Sequence, residues 1–201
     1  MRRLRPAAAA ACAALLLLAA GCDKLFAPPK SPFNTIDVTG TEMGGELRLA
    51  DAAGAPRTLA DYRGKVVVVS FGFTHCPDVC PTTLADLGKA VRALGADAKR
   101  VQVLFVTVDP KRDTPEVLQQ YVPNFHPDFV ALRGDEAATT AATKAFHVYA
   151  KERPGTSADA YTVDHSSQSF VLDREGRIRL IVPYGTKPEA IAADLKVLLD
   201  A

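Results

Sequence analysis

Two short runs of mainly apolar residues mark the centre of this chain, at 66–73 and at 101–108. Runs of this kind are apolar on both faces, as strands buried inside a parallel sheet are. Between them, from Thr82 to about Leu94, apolar residues recur every three or four positions, which is the spacing of an amphipathic helix. The order strand, helix, strand predicts a β-α-β unit at the heart of the fold.

The rest of the chain continues this alternation and closes with a β-hairpin. Helices are predicted from Pro115, with Thr114 as the N-cap, over 135–146 and over 188–199. These elements indicate an α/β fold, a thioredoxin-like three-layer sandwich with an N-terminal hairpin extension. The remaining predictions are a small hairpin near 47–59, a short strand at 129–132, a hairpin of 169–173 with 177–182, and a polar loop at 152–160 bracketed by 147–151 and 161–163.

Cys76 and Cys80 follow the first buried strand and stand where the helix begins. If the helix has begun by Cys76, the two Cβ atoms lie about 5–6 Å apart on one face. Such a pair can form a disulfide or hold one ion. The helix dipole and the free N–H groups of a helix N-terminus favour the thiolate. We therefore interpret the pair as reactive or metal-binding rather than as two structural cysteines or a plain disulfide.

The chain offers few other soft or imidazole ligands. The two remaining cysteines belong to the N-terminal leader, so no second pair exists for a zinc site. Of the four histidines, His165 stands just before a core strand whose start faces the redox motif in a thioredoxin-like fold, whereas His126 and His147 read as surface or packing residues. Two thiolates and one imidazole suit Cu(I), a soft ion that accepts few ligands.

The leader has the design of an export signal. Three arginines precede an uncharged run over 7–20, which is shorter than the roughly 20 apolar residues of a spanning helix. The run ends in Leu18-Ala19-Ala20-Gly21-Cys22, which resembles the bacterial lipobox. We expect a signal peptide over 1–21, a Pro-rich tether over 22–34 that begins with lipidated Cys22, and one domain over 35–201. This organisation predicts an exported lipoprotein tethered to the membrane on the periplasmic side.

The net charge and the predicted export each add one constraint on function. The whole chain has a formal net charge of +1, and removal of residues 1–21 takes away three arginines and no acidic residue. No basic run is left in the predicted domain, so nucleic-acid binding has no electrostatic basis there. Outside the cytoplasm a thiol pair tends to be oxidised, so a dedicated reductant would be needed to keep this pair reduced.

Three segments together resemble the Sco/SenC family of copper-binding assembly factors of cytochrome c oxidase. They are Gly72-Phe73-Thr74-His75-Cys76-Pro77-Asp78-Val79-Cys80-Pro81-Thr82-Thr83-Leu84, Val108-Asp109-Pro110-Lys111-Arg112-Asp113-Thr114-Pro115-Glu116 and Asp164-His165-Ser166. The resemblance extends from Gly40 to Leu199. It separates the chain from thioredoxins, which have two residues between the cysteines.

The resemblance implies a copper chaperone. Cys76, Cys80 and His165 would bind one copper ion, as Cu(I) or Cu(II), and deliver it to the copper A site of oxidase subunit II. Asp109 and Asp113 match family residues linked to the copper site or to partner docking, although by local sequence they read as loop and helix-cap residues. His75 stands where relatives vary and is not counted as a ligand. Expected partners are subunit II, another periplasmic copper chaperone and a thioredoxin-like reductant.

Other functions stay open at this point. The main alternative is a periplasmic thiol-disulfide oxidoreductase in which Cys76 and Cys80 are a redox-active pair that reduces the copper-site cysteines of the oxidase, so whether the protein is an enzyme is left undecided. A peroxidase of the peroxiredoxin type is disfavoured, because no arginine flanks the cysteines to polarise peroxide. Copper sensing by a signalling protein is not separable from delivery by sequence.

Overall fold

An eight-stranded mixed sheet forms the middle layer of the fold, and two further strands form a second sheet. The computed structural model describes residues 31–155 and 160–201. The strands are β1 Ile36–Asp37, β2 Arg48–Asp51, β3 Pro56–Thr58, β4 Val66–Gly72, β5 Val101–Thr107, β6 Val130–Arg133, β7 Ala150–Arg153, β8 Thr162–His165, β9 Ser169–Leu172 and β10 Ile178–Val182. The order of strands in the large sheet is β1-β10-β9-β4-β5-β6-β2-β3, and β7 pairs with β8 in the second sheet.

The two apolar runs form the central strands, as predicted. Every residue of β4 and β5 is buried, and the strands pair in parallel from Val66 opposite Val101 to Gly72 opposite Thr107. On its other side β4 pairs antiparallel with β9, and β9 pairs antiparallel with β10. Because β4, β5 and β6 are parallel, their carboxyl ends lie at one edge of the sheet, and the cysteine-bearing segment leaves from that edge.

Helices cover both faces of the sheet and complete the three layers. The helices are α1 Val79–Ala93, α2 Pro115–Tyr121, α3 Glu136–Ala145 and α4 Pro188–Asp200, with 3₁₀ turns at Leu59–Tyr62, Gly95–Arg100 and Val122–Asn124. Side chains of α1, α2 and α4 pack with Val66, Val68 and Phe105 on one face, and α3 packs with Val67 and Val69 on the other. Thr114 caps α2 as predicted, because its Oγ1 accepts a hydrogen bond from Val117 N at 3.3 Å.

The predicted polar loop over 152–160 is partly wrong. Residues 152 and 153 belong to β7, which pairs antiparallel with β8 from Ala150 opposite His165 to Arg153 opposite Thr162. All four residues of β7 are exposed, so no apolar alternation in the sequence marks it as a strand. An ion pair across the hairpin, between Arg153 Nε and Asp164 Oδ2 at 2.6 Å, supports the register.

The predicted signal peptide, Cys22 and most of the tether lie outside the described residues. Within 31–155 and 160–201, no helix combines the length and the apolar character that a membrane crossing requires.

Candidate metal centre

The cysteine pair is brought together by a turn rather than by one face of a helix. β4 ends at Gly72 and α1 begins at Val79, so Cys76 precedes the helix and only Cys80 belongs to it. The turn is closed by Cys76 N, which donates to Phe73 O at 3.2 Å. Cys80 N then donates to Cys76 Sγ at 3.4 Å. The backbone N–H of Cys80, in the first turn of α1, therefore points at Cys76 Sγ.

His165, which follows Cys80 by 85 residues in the sequence, completes the cluster. It is the last residue of β8, and its Nε2 lies 3.2 Å from Cys80 Sγ. Its Nδ1 lies 2.8 Å from Ser166 O, and a carbonyl oxygen can only accept, so Nδ1 carries the proton. The lone pair of Nε2 is therefore free to face the thiols. Sulfur atoms of Cys76 and Cys80 and a ring nitrogen of His165 all lie within 4.8 Å of one another.

Burial controls the protonation of this cluster. Cys80 is 4% exposed, and burial raises the pKa of its thiol. Burial also lowers the pKa of His165, against the opposing effect of its hydrogen bond to Ser166 O. The imidazole is therefore neutral at pH 7, which is the form that binds metals. The Cys80 thiol, by contrast, keeps its proton until a bound metal cation displaces it.

The donor set fits a soft cation with few ligands. It supplies two sulfurs and one imidazole nitrogen. Cu(I) prefers such ligands, and a structural zinc site would normally require a fourth. No other group of three or more His, Cys, Asp or Glu side chains in the described part of the chain is arranged to hold a metal ion.

Asp113 does not cap a helix, so its interpretation from the local sequence as a helix-cap residue is wrong. Its side chain is fully buried, and Thr114 takes the cap position of α2. The Asp113 carboxylate instead accepts hydrogen bonds from Thr74 N, Thr74 Oγ1 and Thr107 Oγ1. Burial raises the pKa of Asp113, and these hydrogen bonds oppose that rise. The residue therefore holds the segment before Cys76 to the end of β5.

Asp109 is a loop residue, as its local sequence indicated, but it is only 2% exposed. Its carboxylate accepts hydrogen bonds from Arg112 Nε and from Tyr161 Oη. The three-atom cluster of the candidate metal centre includes neither Asp109 nor Asp113. His75 also stands apart, since it is 52% exposed in its side chain and contacts Thr74 Oγ1.

Several residues around the centre were not singled out from the sequence. Gly72 leaves room for the Cys80 sulfur, because a Cβ built on Gly72 would lie 2.8 Å from Cys80 Sγ. Phe73 packs its ring against His165, with centroids 5.8 Å apart and planes at 83°. Arg112 and Tyr161 surround Asp109. The only available signal was that these residues stand in or beside the cysteine, aspartate and histidine segments.

Comparison with known proteins assigns nearly the whole described domain to one family. Residues 37–200 match the family described as SCO1/SenC. An SCO2-like protein of Rickettsia prowazekii is 40% identical over 137 residues, which are 68% of this chain and 67% of that protein. The chain belongs to the SCO1/SenC family. The mitochondrial SCO2 homologue of mouse is 41% identical over 134 residues, and the match spans only about half of that protein's length, 52%.

Solved structures of Sco proteins share the fold. Bradyrhizobium japonicum ScoI with copper bound has a TM-score of 0.73 and 40% identity, covering 78% of this chain and 99% of that one. Yeast Sco1 with copper bound has a TM-score of 0.73 and 30% identity, covering 80% of this chain and 90% of that one. The metal-free Sco1 of Thermus thermophilus gives a TM-score of 0.75 at 38% identity, covering 86% of this chain and 100% of that one.

Proposed function

We propose that this Sco-family protein binds one copper ion through Cys76, Cys80 and His165 and delivers it to the copper A site of cytochrome c oxidase subunit II. The observation that carries the proposal is the set of two sulfurs and one imidazole nitrogen within 4.8 Å. It is supported by Bradyrhizobium ScoI, whose structure is copper-bound and which shares 40% of its residues with this chain.

The two thiols differ in a way that suits transfer. Cys76 is partly exposed, whereas Cys80 is buried beside His165. An incoming thiolate of subunit II therefore reaches copper from the Cys76 side and replaces that ligand first. Cys80 and His165 keep the ion in place until further acceptor ligands arrive. Delivery is in this way a stepwise ligand exchange, and copper is the cargo of the protein.

A second candidate function is thiol-disulfide exchange. It is favoured by the partly exposed Cys76, whose sulfur accepts a hydrogen bond from Cys80 N at the start of α1. The Cys76 thiolate would attack a disulfide of the oxidase and form a mixed disulfide, releasing one acceptor thiolate. Cys80 would then attack Cys76 Sγ and release the second acceptor sulfur, which would take up the proton that the Cys80 thiol loses. The resulting Cys76–Cys80 disulfide would require two electrons and two protons from a thioredoxin-like dithiol to regenerate the thiols.

We further propose that the protein acts on the outer side of the cytoplasmic membrane as a lipoprotein. The support is the leader of the sequence, which ends in a lipobox-like segment before Cys22. A lipid-anchored protein in this place would be held beside a membrane-embedded oxidase. A second periplasmic copper chaperone would supply the ion in the same compartment.

The experiment that tests delivery replaces His165 by alanine. A deletion strain is complemented with the wild type or with His165→Ala, and oxidase activity is measured with and without added copper. We expect the variant to lose activity and added copper to restore it, because copper holding needs the imidazole. A Cys76→Ser, Cys80→Ser variant shows how much activity depends on the thiols in either function.

The same experiment separates the two functions. Thiol exchange requires only the two cysteines, so an oxidoreductase would tolerate His165→Ala. Full oxidase activity of His165→Ala at low copper would therefore contradict the delivery function and favour the reductase. Dithiol reactivity of the purified variant, followed with a disulfide reagent, checks that the thiols are still accessible and reactive.

A further inference from the structure

Arg112 is almost enclosed beside the candidate metal centre, with a side chain that is 18% exposed. Its Nε donates to Asp109 Oδ2 at 2.5 Å, and its Nη1 donates to the carbonyl oxygen of Tyr161 at 2.8 Å. The guanidinium carbon lies 3.6 Å from the centroid of the Tyr161 ring. Arg112 thus contacts Tyr161 twice. It donates a hydrogen bond to the backbone carbonyl, and its planar guanidinium group lies over the aromatic ring.

Tyr161 closes this arrangement into a ring of three residues. Its Oη donates to Asp109 Oδ1 at 2.7 Å. Burial and this hydrogen bond to a carboxylate raise the pKa of Tyr161 to about 12, so the phenol stays protonated and remains a donor. Asp109 is itself buried, so each of its two oxygens is held by a different partner. We call Asp109, Arg112 and Tyr161 the latch.

The latch holds the strand that ends in His165. Tyr161 directly precedes β8, Thr162–His165, in which only Val163 is buried. The β7–β8 sheet forms no ladder with the eight-stranded sheet in the part of the chain that the structure describes. The position of β8 therefore depends on the packing of Val163 and on links such as the latch.

Arg112 is also linked to the imidazole of His165 through the ring of Phe73. Its guanidinium carbon lies 5.8 Å from the centroid of the Phe73 ring. The Phe73 ring in turn packs edge-to-face against His165. The same cation therefore contacts the start of the histidine strand and the aromatic ring that borders the histidine.

We propose that Arg112 and Tyr161 are positioning residues for the copper ligand His165. This inference rests on the proposed function, because it concerns the imidazole ligand of that site. The latch fixes the start of β8 to the loop after β5, and this keeps His165 Nε2 facing Cys80 Sγ before copper arrives. Residues that orient a ligand in this way commonly contribute 10- to 100-fold to metal affinity.

The mildest test is Tyr161→Phe, which removes one hydroxyl and keeps the ring under the guanidinium. We expect Cu(I) affinity, measured in the reduced full chain by competition with a chromophoric chelator, to fall by about 10-fold or more. Arg112→Lys keeps a cation for Asp109 but loses the planar contact and the fork geometry, so its loss should be at least as large. In the copper-free protein, NMR signals of the His165 ring should split or broaden in both variants.

Two controls distinguish positioning from general stability. Lys111→Gln removes an ion pair with Glu152 between the same loop and β7, at 2.6 Å but exposed, and should leave copper affinity unchanged. In a His165→Ala background, Tyr161→Phe should cause no further loss, because the ligand that it positions is gone.

The outcomes are separable. Unchanged copper affinity and unchanged His165 signals in both latch variants would overturn the inference, and so would an equal loss in the His165→Ala background. Equal copper affinity of the wild type and His165→Ala would instead overturn the proposed function, and the inference with it.

Discussion

Gly72 gives the sharpest prediction about the geometry of the centre. A Cβ at this position would lie 2.8 Å from Cys80 Sγ and 2.8 Å from Phe105 Cε2, where ordinary contacts begin at 3.4 Å. Gly72→Ala therefore has to lengthen each of these two contacts by about 0.6 Å, through movement of the sulfur, the ring or the strand. Metal–ligand distances tolerate only about 0.2 Å. The added methyl is thus expected to disturb copper binding directly.

The magnitude follows from the cost of overpacking, which is about 1–3 kcal/mol. Copper binding requires Cys80 Sγ to return to its place, so this strain appears as lost affinity when the metal binds. Since about 1.4 kcal/mol corresponds to a factor of ten, we expect Gly72→Ala to bind Cu(I) about 5- to 140-fold more weakly. Chelator competition measures the affinity, and urea unfolding of the copper-free protein measures the stability.

Gly54→Ala is the matched control for this prediction. Gly54 has φ +84° in the turn between β2 and β3, and a Cβ there would meet no atom within 4 Å. The left-handed conformation costs an alanine about 1–2 kcal/mol, so this variant should lose stability and keep its copper affinity. Wild-type affinity in Gly72→Ala, or equal losses of affinity in the two variants, would refute the reasoning.

Four further predictions concern other parts of the molecule. In the reduced protein Cys76 should be alkylated faster than Cys80, as peptide mass spectrometry would show, because Cys80 is buried and burial raises its pKa; faster labelling of Cys80 would contradict this. Asp194→Ala should lower the free energy of unfolding by about 2–3 kcal/mol and spare copper affinity, because the buried carboxylate accepts hydrogen bonds from Asn34 and Thr35 at 2.6–2.9 Å. Burial lowers the pKa of His165 from 6.5, so stability due to its neutral form is complete above pH 6.5 and is lost as pH falls through the lowered value; a His165→Gln variant should lack this step in urea titrations. The mature protein should begin at lipid-modified Cys22, and an unmodified Cys22 in the N-terminal peptide from membranes would exclude the anchor.

Sequence pattern predicted the elements whose burial is continuous or periodic. The strands β4 and β5 are buried at every position and read as apolar runs, and each ends one residue before its predicted limit. Thr114 and Pro115 together marked the start of α2. By contrast, β7 is exposed throughout, so no hydrophobic pattern in the sequence indicates its backbone pairing with β8.

The three residues that cluster at the site were predictable from the sequence, whereas the residues that surround and hold them were not. The cysteine pair and its place after a buried strand were visible locally, whereas His165 was assigned to the site from the predicted thioredoxin-like fold and then from the family resemblance. The partners of the aspartates depend on tertiary structure, since Thr74 and Asp113 are 39 residues apart and Asp109 and Tyr161 are 52 apart. The start of α1 after Cys76 also corrects the assumption that both cysteines share a helical face.

The most direct test of the central claim is the coordination of copper in the reduced full chain, measured by X-ray absorption at the copper edge. We expect one copper per chain with two sulfur ligands and one imidazole nitrogen, in agreement with the cluster of Cys76, Cys80 and His165. In His165→Ala the imidazole scattering should disappear while both sulfurs stay. Imidazole scattering that persists in His165→Ala, or copper retained when both cysteines are replaced by serine, would contradict the account.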